Sequence, residues 1–191
     1  MMFGLLLMLA ELLQRDIRVR EVEKRKEMRY LRKFNESGNM SEYISDVGYI
    51  QFGYNFLDVG VLRGKIIEDI VINRQKTEII ISVEGNGFYE FYKFYHQKDC
   101  CESVWIEDIE GDLNDLLGHP ILQAEKITEK KNNSYESSTW TFYKLATIRG
   151  YVTIRWVGIS NGYYSEEVDL VKSDEVATSY DEMFRMMYGK L

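Results

Sequence analysis

Cysteine is scarce in this 191-residue chain: there are two, and they are neighbours, Cys100 and Cys101. Adjacent cysteines rarely bond to each other, so the chain has no disulfide framework, and a reduced, cytosolic protein is the expectation. Histidine is as scarce, at His96 and His119. No CxxC or HxxxH pair accompanies them, which leaves tetrahedral zinc with too few separated ligands. No apolar run reaches the roughly 20 residues that a membrane-spanning helix needs. Residues 1–13 come nearest, but no Lys or Arg precedes them and no small-x-small site follows, which argues against a signal peptide. A phosphate loop is missing too, since Gly85-Asn86-Gly87 lacks the Lys-Ser/Thr of a P-loop. There is no βαβ alternation, no low-complexity tract and no repeat of about 20–50 residues.

What the chain does have is aromatic material and acid. Three Trp, 14 Tyr and 9 Phe are ample for one core. The formal charge of −7 does not favour a nucleic-acid binder, and it hides an asymmetry. Residues 1–34 carry nine Lys/Arg against five Asp/Glu, and the remainder carries 15 against 26, so a basic arm joins an acidic body. Residues 14–34 lack Gly and Pro and are rich in helix formers. The expected organisation is an N-terminal helical arm at 1–37, a Tyr/Gly-rich connector at 38–61, a β-rich domain at 62–172 and a C-terminal helix at 173–191. The favoured role of the arm is burial of Leu5, Leu6, Leu9, Leu12 and Leu13 against the body or a sister chain, giving a homo-oligomer. Attachment to a membrane surface or to phosphates is the weaker reading.

The body reads as strands. Residues 66–73 and 77–84 are β-branched runs split by Arg74-Gln75-Lys76, and Gly85-Asn86-Gly87 turns the chain into residues 88–95, an antiparallel meander. Asp112 opens a short helix over 112–117 that Gly118 closes. Residues 121–128 are a candidate strand, 140–147 and 151–157 form a hairpin around Arg149-Gly150, and Asn161-Gly162 turns into a strand at 163–171. Ser173-Asp174-Glu175 then opens a helix carrying Met183, Met186 and Met187. The expected class is α+β: a β-rich antiparallel meander with one short internal helix, plus N-terminal and C-terminal helices.

Three runs stand out: Asp99-Cys100-Cys101-Glu102, Trp140-Thr141-Phe142-Tyr143-Lys144-Leu145-Ala146-Thr147-Ile148, and Ser160-Asn161-Gly162-Tyr163-Tyr164-Ser165-Glu166. With them the stretch 62–171 resembles a domain family of unknown function found in phages and bacterial genomes. The resemblance implies a phage-related setting, a cytoplasmic location in the host cell and a body that is a unit by itself. It brings no activity with it.

The chemistry-bearing residues allow several readings. His96, Asp99, Cys100, Cys101 and Glu102 are the densest ligand cluster, with His96 and Cys101 the candidates for metal; buried thiols with capping carboxylates are the plainer reading. Asp99 to Glu125 holds eight acidic residues and no Lys or Arg. Within it Glu107, Asp108 and Asp112 are candidates for protein contact. Tyr163, Tyr164, Arg155 and Asn161 combine rings, a cation and an amide, a set suited to a small planar anion. The favoured function is a non-enzymatic cytosolic binding protein of phage type, in its concrete form a counter-defence factor that sequesters a nucleotide-like signal or blocks a host protein. It needs no cofactor, no catalytic residue and no nucleic acid. The alternatives are a metal-dependent hydrolase using His96, Asp99, Glu102, Glu107 and Asp108, and an acidic DNA mimic.

Overall fold

A computed structural model describes residues 50–132 and 136–189. The arm and the helices expected within it lie outside the described residues. Among the described residues nine strands make two antiparallel sheets. They are β1 (Phe56–Leu57), β2 (Ile66–Ile72), β3 (Glu78–Glu84), β4 (Tyr89–Tyr95), β5 (Glu102–Glu110), β6 (Gln123–Asn132), β7 (Ser137–Ala146), β8 (Tyr151–Ser160) and β9 (Asp169–Ala177). The five-stranded sheet runs β1-β9-β4-β3-β2 and the four-stranded sheet β5-β8-β7-β6. One helix, α1 (Tyr180–Tyr188), follows β9.

One apolar core joins the sheets. Ile67, Ile79, Ile81, Tyr92 and Phe94 come from the first, and Ile106, Tyr143, Leu145, Ile154 and Trp156 from the second. The opposite face of the five-stranded sheet buries Val71, Ile80, Tyr89 and Phe91 under Tyr180, Met183 and Met187 of α1. A strand covered on both sides loses its alternation, which is why consecutive residues of β2 and β3 are buried, Glu68, Asp69 and Ser82 among them. Strand β7 keeps its alternation, with Thr139, Thr141, Tyr143 and Leu145 buried and the residues between them half-exposed. The four-stranded sheet therefore presents one face away from the core.

The β2-β3-β4 meander forms as expected, with β3 hydrogen-bonded to both neighbours. So does the β7-β8 hairpin, closed by Thr147 N–H donating to the Gly150 carbonyl at 2.9 Å. Four expectations are corrected. The helix over 112–117 is a single 3-10 turn, Leu113–Leu116, capped by Asp112. Residues 102–110, assigned to no element from sequence, are an edge strand. Residues 163–168 are a loop and not a strand, because Glu166 turns inward and pins them. The helix expected to open at Ser173 starts at Tyr180, with Ser179 as its cap. Ser173 donates instead to the Gln51 carbonyl at 2.6 Å while β9 continues its pairing with β4 to Ala177. Tertiary pairing overrides a local capping signature there.

Candidate functional site

Two of the motif runs, Asp99–Glu102 and Ser160–Glu166, meet at one end of the four-stranded sheet, where Glu102 pairs with Ser160, while the third runs from Trp140 along β7 towards the other end. Two buried carboxylates organise the shared end. Glu166, from the loop after β8, accepts hydrogen bonds from Thr139 Oγ1 at 2.6 Å, Ser137 Oγ at 3.2 Å and Ser160 Oγ. Strands β7 and β8 thus supply three hydroxyls to one acid that is 3 % exposed. Gly158 makes this approach possible, since a Cβ there would lie 2.6 Å from both Cβ and O of Glu166. Tyr143 Oη donates to the Val168 carbonyl at 2.7 Å and fixes the far end of the same loop.

Glu102 opens β5 and is buried as well. Its carboxylate accepts from the Asp99 N–H. His96 Nε2 lies 3.5 Å from Glu102 Oε1, while His96 Nδ1 lies 2.9 Å from the Glu167 carbonyl. Burial alone would raise the Glu102 carboxyl, but the Asp99 N–H, His96 and the Cys100 N–H outweigh it and hold the group below its ordinary range. Both acids are structural: each ties down a loop and leaves that loop's other groups outside.

The outward groups are Cys100, Cys101, Asn161 and Tyr163, all exposed, with Tyr164 half-exposed. Tyr163 and Tyr164 stack edge to face, ring centroids 5.0 Å apart. Tyr164 stands close enough to the Asp99–Glu102 run that Cys100, burial and then Cys101 and the carboxylates push its phenol up. The Asn161 side chain, though exposed, is engaged in its own turn, accepting from the Tyr163 N–H at 3.1 Å. Arg155 is not part of this group. It lies six residues back along β8, roughly 20 Å away on an extended strand, and pairs with Glu107 at 2.8 Å and Asp108 at 3.7 Å. Asp112 is occupied as a cap, accepting from the Asn114 N–H at 2.9 Å. The five hydrolase candidates are split likewise, with His96, Asp99 and Glu102 at one end of β5 and Glu107 and Asp108 further along it. Among the described residues no group of three or more His, Cys, Asp or Glu is placed to hold a metal ion.

The outer face of the four-stranded sheet adds what the sequence reading missed. Register puts Trp105, Val157 and Trp140 in one row across β5, β8 and β7. The next row holds Asp108, Arg155, Phe142 and Ile127. A groove of about 720 Å³ runs from the motif loops onto this face, lined by Cys101, Ser103, Trp105, Ile159, Ser160 and Asn161, with Glu136 at its side. A second, of about 500 Å³, flanks the outer edge of β5, where His96, Lys98 and Glu102 lie with Ser103 and Trp105, beside the point where the Ile106 N–H donates to the Lys76 carbonyl at 2.7 Å. The alternation of residues 137–146 was the signal available for Trp140 and Phe142, since every second residue there must face away from the core.

These features define a two-sheet β-sandwich with a half-exposed aromatic row on its outer face and a groove at the end where the Asp99–Glu102 and Ser160–Glu166 runs meet. The chain belongs to the family DUF7448, a domain of unknown function, which matches residues 62–170. No curated protein and no solved structure matches it. Among the described residues no helix is long and apolar enough to cross a membrane.

Proposed function

We propose that this protein is a non-enzymatic binding protein that engages a partner protein through the outer face of its four-stranded sheet. The observation that carries the reading is the Trp105–Val157–Trp140 row, which continues into the groove beside Cys101 and Asn161. Aromatic rings set on a rigid sheet bury large area at little cost in conformational entropy, which makes them anchors of protein interfaces. Strand β5 beside this row carries Glu107, Asp108 and Glu110, all exposed; Arg155 offsets one of these charges and leaves the rim net acidic, so the complementary surface is apolar at its centre and basic at its rim. A nucleotide-like ligand is less favoured, because two of the cations near the aromatic groups are already paired: Arg155 with two carboxylates, and Lys130 with Glu167 at 2.8 Å. In a phage setting the role would be to occupy and block a host protein.

The test uses tagged wild-type chain and a Trp105→Ser/Trp140→Ser variant, each shown by circular dichroism to be folded. A discrete partner retained by the wild type, released at high salt and lost from the variant is the expected result. Identical captures by both chains, or a rise in Tm with nucleotides that the variant shares, would overturn the reading.

A further inference from the structure

The chain contains Asn-Gly twice, at Asn86-Gly87 and Asn161-Gly162, and both pairs are exposed. An asparagine side chain closes most readily on its own backbone when glycine follows, because no side chain there blocks the approach to the next nitrogen. The two pairs share this local chemistry but not their surroundings. Gly87 N–H donates to the Gly85 carbonyl at 2.9 Å, an acceptor with no proton to pass on. Gly162 N–H donates to Ser160 Oγ at 2.9 Å, and Ser160 Oγ in turn donates to the buried Glu166 carboxylate. The Gly162 nitrogen is thus joined to a carboxylate through one hydroxyl, within hydrogen-bond reach at both steps. The electrophile is held as well. Asn161 Oδ1 accepts from the Tyr163 N–H at 3.1 Å, which draws the side-chain carbonyl back over the Asn161–Gly162 peptide and polarises it.

We infer that Asn161 is a self-modification site: its side chain closes onto the Gly162 nitrogen as a succinimide, which water opens to an aspartyl or isoaspartyl residue. In the first step the Gly162 proton passes to Ser160 Oγ as the Ser160 proton passes to Glu166. The Gly162 nitrogen bonds to Asn161 Cγ, and the negative charge that develops on Oδ1 faces the Tyr163 N–H. The Cγ–Nδ2 bond then breaks, and Nδ2 leaves as ammonia with a proton equal to the one taken from Gly162. In the second step one water cleaves either of the two ring C–N bonds, so ammonia is exchanged for water and nothing is oxidised or reduced. Opening at the side-chain carbonyl leaves an ordinary aspartyl residue at position 161. Opening at the main-chain carbonyl routes the chain through the side chain and lengthens it by one methylene. Either product places a carboxylate beside Cys101, Ser103 and Trp105 on the groove wall. The groove therefore gains negative charge as the protein ages. The site stands on its own geometry and does not depend on what the groove binds.

The experiment incubates the full-length native protein at neutral pH, with the urea-denatured chain alongside, and follows both Asn-Gly pairs by peptide mapping. In the native protein Asn161 should convert at least about tenfold faster than Asn86, a modest figure for positioned proton transfer. In urea the two should convert at similar rates, with Asn161 slower than in the native protein. Ser160→Ala removes the relay and keeps the Asn-Gly pair; in folded variant it should bring Asn161 down to the Asn86 rate. Asn161 no faster than Asn86 in the native protein, or no slower in urea, would overturn the proposal, as would an undiminished rate in folded Ser160→Ala. Where Ser160→Ala fails to fold, the comparison of native with denatured wild type decides by itself.

Discussion

Glu90 on β4 lies between two ammonium groups. Lys172 Nζ is 2.6 Å from its Oε1, Lys65 Nζ is 2.9 Å from its Oε2, and Tyr92 Oη donates to Oε2 at 3.0 Å. Burial alone would raise this carboxyl, but Lys172, Lys65 and Tyr92 together bring it from 4.5 to about 2. Burial first, and then Glu90 itself, push Tyr92 up to about 12. The clasp joins β9 and β4 to the chain entering β2. A carboxyl depressed on folding contributes stability that is present above its unfolded value and lost as pH falls through the folded one. Glu90→Gln therefore costs about 2 kcal/mol at neutral pH, a figure discounted for the partial exposure of both lysines. Urea titrations at successive pH values should show the gap between wild type and variant closing from pH 4.5 down to about 2. A gap that stays constant over that range would mean the charge is not its source.

At the scale of elements, the loop between β8 and β9 is the piece most dependent on a single contact set. Gly158→Ala drives a methyl into Glu166 and against Val104 Cγ2, 3.1 Å away, and neither backbone nor strand can give way easily. The expected loss is about 2–3 kcal/mol, in the range for overpacking a closed site. It should appear as a lower Tm together with amide exchange concentrated at residues 160–168. Uniform exchange across the sandwich would show that the loop is not held locally. This loop also shows where sequence reading fails. Tyr163 and Tyr164 have strand-like composition, yet the inward Glu166 decides the path, and a lone glutamate gives no sign of being buried. Strand β5 was hidden differently: a bulge between Ile106 and Asp108 leaves Glu107 and Asp108 both exposed in succession, which erases the period of two. The β2-β3-β4 meander was legible because polar and glycine turns separate its strands, and local turn chemistry suffices for adjacent strands.

At the scale of the molecule, the division into two sheets is not a local property. The chain leaves the five-stranded sheet after β4, enters the four-stranded one at β5, and returns only with β9. Nothing near residues 96–101 or 161–168 records which sheet the next strand joins; that is settled by which apolar faces close the common core. For the same reason the sequence pointed to the motif residues but not to the pairing of Glu102 with Ser160 that joins two of the runs, nor to the Trp105–Trp140 row. The family match ends at residue 170, two residues into β9, although β9 lies between β1 and β4 and leads into α1. A fragment 62–170 keeps Ile80 and Phe91 but loses Ala177, Tyr180, Met183 and Met187 that cover them. Each large apolar side chain contributes roughly 1.5–3 kcal/mol on burial, against a total stability of about 5–15 kcal/mol for a domain. Losing this cover together with most of a central strand exceeds that margin. Fragment 62–170 should therefore bind hydrophobic dye and unfold without a cooperative transition, whereas residues 50–189 unfold in one step. A cooperative transition of equal Tm in the shorter fragment would place the folding unit within the family match and make β9 and α1 dispensable.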